Sequence, residues 1–121
     1  MFYLREKNLI LLLSSDEAGN ISYLDNLQKT TTALGMDFEN DVLIHTIGMN
    51  EVFNWAGLNN FSDPLTLVFF GKGISGLDIQ PNSTHLIGAH RVFETYTMSE
   101  IVSDSNKKAQ FWLSFKSLFG K

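Results

Sequence analysis

The sequence predicts a three-layer α/β/α domain with a mainly parallel central sheet of four to five strands. Two observations predict it. The runs NLILLLS and LTLVFF are apolar throughout, as strands buried on both faces are. Stretches with a helical apolar period alternate with such runs. The chain of 121 residues is read as a single α/β domain, long enough to bury one core unaided.

The elements follow in order. Asn8 to Ser14 is the first strand, and SDEAGN is a loop after it. Asn20 is a suitable N-cap for a helix from Ile21 to Leu34. Ile21, Leu24, Leu27, Thr31 and Leu34 share one stripe, and Gly35 supplies the stop. Val42 to Ile47 is a second β-rich run. A short helix is expected over about Glu51 to Leu58, carrying Val52, Phe53 and Ala56 to the core, with NNFSDP ending it. Leu65 to Phe70 is the third strand. Ser83 to Ile87 and Arg91 to Thr95 form two short strands around Gly88-Ala89. Ser103 or Asp104 caps a last helix from about Ser105 to Phe119. Its residues Phe111, Trp112, Phe115, Leu118 and Phe119 make one wide apolar face, read as core.

Composition excludes several chemistries. There is no cysteine, so disulfides, thiolate metal sites and cysteine nucleophiles are ruled out. The apolar run Leu9 to Leu13 is too short for a signal or a membrane span. The chain is therefore expected to be cytoplasmic, where the sequons at Asn20 and Asn82 carry no sugar. Net charge is -4, which argues against broad phosphate binding. The charge is uneven: residues 13–104 hold twelve acids and three bases, and residues 105–121 hold four lysines and no acid. One reading is helix-end complementation, with Lys116 and Lys121 at the negative end of the last helix and Asp104 at its positive end. The other reading is a basic partner surface formed by Lys107, Lys108 and Lys116.

Gly71, Gly73 and Gly76 spell G-x-G-x-x-G behind the third strand. A dinucleotide fingerprint needs a helix to open from that turn, and Pro81 follows too soon for one. Lys72 is misplaced for a P-loop. Leu77 stands where a nucleophile elbow needs its last glycine. The glycines are read as a sharp turn that a ligand could still approach. His45, His85 and His90 lack metal-ligand spacing, so neither metal nor cofactor is expected. In a parallel sheet, ligands gather beyond the carboxyl ends of the strands. The candidate cleft there comprises Ser15, Asp16, Gly71, Lys72, Gly73, Thr97 and Ser99.

The tail VFETYTMSEIVSDSNKKAQFWLSFKSLF resembles the closing element of uracil-DNA-glycosylase-like domains. There a strand leads into a His-Pro-Ser-type motif, and a loop leads into a helix with Lys or Arg ahead of Trp and spaced leucines. The corresponding residues here are Thr97-Met98-Ser99, Lys107-Lys108, Trp112 and Phe115. LTLVFFGKG is similar to that fold's strand-then-glycine segment. The element order over residues 8–119 most resembles small non-catalytic members, such as the psi subunit of bacterial DNA polymerase III. The departures concern chemistry. Thr97 stands where the family's histidine stabilises the departing base. SSDEAGN lacks a Gly-Gln-Asp-Pro-type water-activating motif. An acidic body suits base flipping poorly.

The resemblance implies a non-enzymatic protein-interaction domain with a degenerate glycosylase-like fold, an accessory subunit of a DNA replication or repair assembly. The expected partner is another protein; direct nucleic-acid binding is less favoured, and no membrane contact is expected. One alternative is a nucleobase- or nucleotide-acting hydrolase using Asp16. A further alternative is a dinucleotide or phosphate binder through Gly71-Gly73-Gly76.

Overall fold

The structure, a computed structural model, describes residues 8–48, 50–56 and 64–120. The elements are β1 (Leu9–Ser14), α1 (Ser15–Ala18), α2 (Ile21–Ala33), α3 (Phe38–Asp41), β2 (Val42–Ile47), β3 (Thr66–Phe70), β4 (Ser83–Ile87), β5 (His90–Thr95), α4 (Met98–Ser103) and α5 (Ser105–Ser117). They form one α/β unit around a five-stranded sheet in the order β2-β1-β3-β5-β4. β1 pairs in parallel with β2 and β3, and β3 pairs in parallel with β5. Only β4 is antiparallel, forming a hairpin with β5 that sets Ser83 opposite Glu94.

The strands read as fully apolar are buried on both faces, so alternate residues feed two cores. Leu9, Leu11, Leu13, Val68, Phe70 and Phe93 face one side. Leu27 and Leu34 of α2 meet them there, with Met98 and Ile101 of α4 and Phe111 and Phe115 of α5. Ile10, Leu12, Leu67, Phe69 and Val92 face the other side. Phe53, Trp55, Ile74, Leu77 and Ile79 cover that second face from loops. The sheet thus lies between two layers, and among the described residues every α-helix that enters a core is on the first.

The caps follow the local chemistry. The Asn20 side chain accepts from Tyr23 N, and Gly35 leaves α2 at φ +83°. The Asp104 side chain accepts from the backbone N–H groups of Asn106 and Lys107, which settles the cap of α5 on Asp104. Arg91 ties the far end of the sheet: its guanidinium donates to the Leu118 carbonyl and to Thr66 Oγ1 and lies over the Phe119 ring.

Three expectations need correction. No helix forms over residues 51–54, and only a single 3₁₀ turn is present at Trp55–Ala56. The Asn54 side chain accepts from Ala56 N, a local bond that competes with helix formation. The rest of that expected helix lies outside the described residues. Val52 is accordingly 61 % exposed, and Trp55 rather than Ala56 joins the core. Ile21, placed on the apolar stripe of α2, is instead 82 % exposed and stands outside both cores. The short helices α1, α3 and α4 were not expected at all.

Candidate functional site

The chain order reverses between β1 and β3. The step from β1 to β2 runs one way across the sheet, with α2 on the helical face. The step from β2 to β3 runs the other way, with residues 53 and 55 on the opposite face. Reversing direction and face together preserves the crossover hand, and it leaves a crevice at the ends of β1 and β3. Ser15, Asp16, Gly71, Lys72 and Gly73 lie on the segments leaving these two strands. Thr97 and Ser99 follow the end of β5.

That crevice is occupied by the chain itself. Glu17, only 6 % exposed, turns inward from α1. Its Oε1 accepts from Met98 N and its Oε2 from Ser99 N, each at 2.9 Å. The carboxylate thereby takes two backbone donors at the start of α4. Asp16 points outward and is fully exposed. Hydrogen bonding from the Ser14 hydroxyl, and then from backbone N–H groups, holds its carboxyl below the usual range. Ser15 and Ser99 are exposed as well.

Thr97 has a structural task. Its hydroxyl accepts from Glu100 N at 3.1 Å and donates to Glu100 Oε1, while its own N–H donates to the same carboxylate. This is a complete capping box on α4. Lys107 Nζ closes the network on Glu100 Oε2 at 2.6 Å and lies over the Tyr96 ring. The Lys107 contact, with the Thr97 N–H behind it, lowers the Glu100 pKa, and the same contact raises that of Lys107. The three candidate lysines therefore do not form one patch. Lys108 and Lys116 are spaced four residues on either side of Trp112, along one stripe of α5. Lys107 is folded onto Glu100.

The glycine loop turns Ser75 inward and leaves Lys72, Gly73 and Gly76 exposed. Gly71, Gly73 and Gly76 have φ of +131°, +93° and +74°, conformations natural to glycine. A Cβ on Gly73 would meet nothing within 4 Å, so the requirement there is conformational. Inside the loop sits Ser75, fully buried. Its hydroxyl donates to Glu94 Oε1 at 2.9 Å and accepts from Leu77 N at 3.1 Å. Glu94 is 2 % exposed, and burial pushes its carboxyl up from the ordinary range. The Ser75 hydroxyl, the Gly73 backbone N–H and the nearby Lys72 charge oppose that effect with smaller weight.

Sequence reasoning missed both buried glutamates. Glu17 gave no signal, because an acid beside Asp16 in a polar segment reads as solvated. Glu94 did give one: it sits inside a strand with apolar Val92 and Phe93 immediately before it.

Three surface cavities have other linings. An open groove of about 540 Å³ lies between α5 and the β4 entry, lined by Gln80, Asn82, Tyr96, Gln110 and Leu113 among others. A second, about 320 Å³, includes Asn8, Thr66 and Arg91, and a small one of about 70 Å³ includes Lys108 and Trp112. None of these three is lined by Asp16, Gly71 or Ser99. Among the described residues, no three His, Asp or Glu side chains gather as a metal site, and no helix is long and apolar enough to cross a membrane. Comparison with family models, known proteins and solved structures returns no match.

Proposed function

We propose that this chain is a non-enzymatic protein-interaction domain, an accessory subunit of a larger assembly that handles DNA. The observation that carries the reading is Glu17. It takes the paired N–H donors of Met98 and Ser99 at the crevice where an α/β sheet ordinarily receives its ligand. The N–H of Gly73 is likewise turned to Glu94. The Met98 and Ser99 donors, which would otherwise be free to stabilise a bound or developing anion, are satisfied internally.

The DNA-handling part rests on the resemblance of the tail to the glycosylase-like family. The hydrolase alternative asks Asp16 to act as a base near neutral pH. A carboxylate held below its usual range is weakly basic and poorly matched to that task.

The partner contact is assigned to Lys108 and Lys116 around Trp112. The test is affinity purification from native extract, with wild type beside a Lys108→Glu/Lys116→Glu double variant. One stoichiometric partner is expected with wild type, falling at least about tenfold with the variant. Bare monomer from both chains would count against the reading, as would nucleoside or nucleotide hydrolysis that depends on Asp16.

A further inference from the structure

Glu94 is a buried acid, among the described residues, whose hydrogen bond comes from a hydroxyl and not from a cation. It is a carboxylic acid with almost no access to water, and no basic side chain is paired with it among the described residues. Burying a lone carboxylate is costly, and the neutral acid is the form such a site favours. Its partners belong to the glycine loop. Ser75 donates to it, and the Gly73 N–H points to it. The same stretch holds the second layer together: Phe53 N donates to the Ile74 carbonyl at 2.8 Å, and Trp55 Nε1 donates to the Ser75 carbonyl at 2.7 Å. The two ends of the loop are anchored on β5, through Gly71 N to the Thr95 carbonyl and Asn82 N to the Glu94 carbonyl. Between those anchors, Glu94 is the sheet's polar hold on the loop.

We propose that Glu94 is a proton-operated latch on the glycine loop: neutral, it holds residues 71–80 and the Trp55 turn on the sheet, and ionised, it releases them. The inference is independent of the partner reading above. Ionisation inside the closed loop leaves a charge with only a hydroxyl and an amide as donors, and opening the loop lets water reach it. The closed state binds the proton more tightly than the open state does. Opening therefore becomes easier as pH rises through the carboxyl's closed-state pKa. The charged groups around it are few. Lys72 favours the ionised form and Asp78 opposes it. On β4, His85 lies 3.2 Å from the Ser83 hydroxyl, and Ser83 is opposite Glu94. Glu51 is the acid of the 50–56 segment, and β3 brings no charge.

The test uses the full chain in a Trp112→Phe background, so that Trp55 is the only tryptophan. Its emission is followed from about pH 4 to about pH 9, with circular dichroism confirming that the fold persists. A single red-shifting step with rising pH is expected, together with faster intrinsic-rate-corrected amide exchange over residues 71–80. In Glu94→Gln the step is lost and the loop stays closed throughout. If Glu94→Gln does not fold, Ser75→Ala decides: without the hydroxyl that ties the loop to the neutral acid, the closed state is weaker and the midpoint falls by about one pH unit. Three results overturn the latch: a flat Trp55 profile in the Trp112→Phe chain, a step that survives in Glu94→Gln, or a Ser75→Ala midpoint that stays or rises. A step removed only by His85→Asn assigns the titration to the histidine and also overturns it.

Discussion

On one face of the sheet, Leu27, Phe111 and Phe115 reach the strands from helices; on the other, Phe53, Trp55 and Ile74 reach them from loops. A helix satisfies its own backbone, so its side chains can be chosen for packing alone. A loop cannot, and each apolar residue it delivers needs a polar anchor nearby. The loop face supplies these as Trp55 to Ser75, Phe53 to Ile74, and Ser75 to Glu94. The helical face has its own buried acid in Glu17, but two amides answer that carboxylate directly. Polar groups buried under loops are therefore where the proposed latch puts this fold's response to pH.

The sharpest way to break the contrast is to truncate one aromatic on each side. Phe115→Ala removes a fully buried ring from the helical core and is expected to lower global stability by roughly 3–5 kcal/mol in urea unfolding. Trp55→Ala should cost less globally and show mainly as faster amide exchange over residues 71–80. Equal global losses would show that the two faces unfold as one block. Next in size is Glu17→Ala, which strips two amides of their acceptor and should cost about 3 kcal/mol, with Glu17→Gln recovering part of it.

Gly73→Ala is expected to cost about 1–2 kcal/mol through its backbone alone, because a Cβ there meets open space. A neutral result would mean that the loop relaxes to another conformation. The smallest effect belongs to Lys107→Ala, which removes one half-exposed ion pair. Glu100 has a lowered pKa in the fold, so its contribution is present above the ordinary carboxylate range and fades as pH falls through the folded value. The Lys107→Ala deficit should therefore shrink in acid, which paired denaturation curves at two pH values would measure.

Strand identity was legible because continuous apolar runs have few other uses, and α2 and α5 because their caps and periods agree. The four- and six-residue helices were not legible, since one turn or so carries no period to detect. The segment around Val52 misled because apolar spacing said helix while Asn54 offered a competing local bond. At the strand ends, the acid named from sequence is exposed and the one beside it is buried. Asp16 was singled out, and its neighbour Glu17 holds the position. Which of two adjacent acids turns inward depends on amides more than eighty residues away in the chain, and no local pattern encodes that.

That separation bears on how the protein is made. The carboxylate of Glu17 and the amides it needs are 81 and 82 positions apart, so most of the chain must leave the ribosome before they can meet. Until then the nascent β1 segment, uniformly greasy from Leu9 to Leu13, has a hydrated acid just beyond it and no lid. Closure of this long-range contact has to wait for that synthesis. A chain stalled before Met98 would display its stickiest strand without the clasp that finishes it.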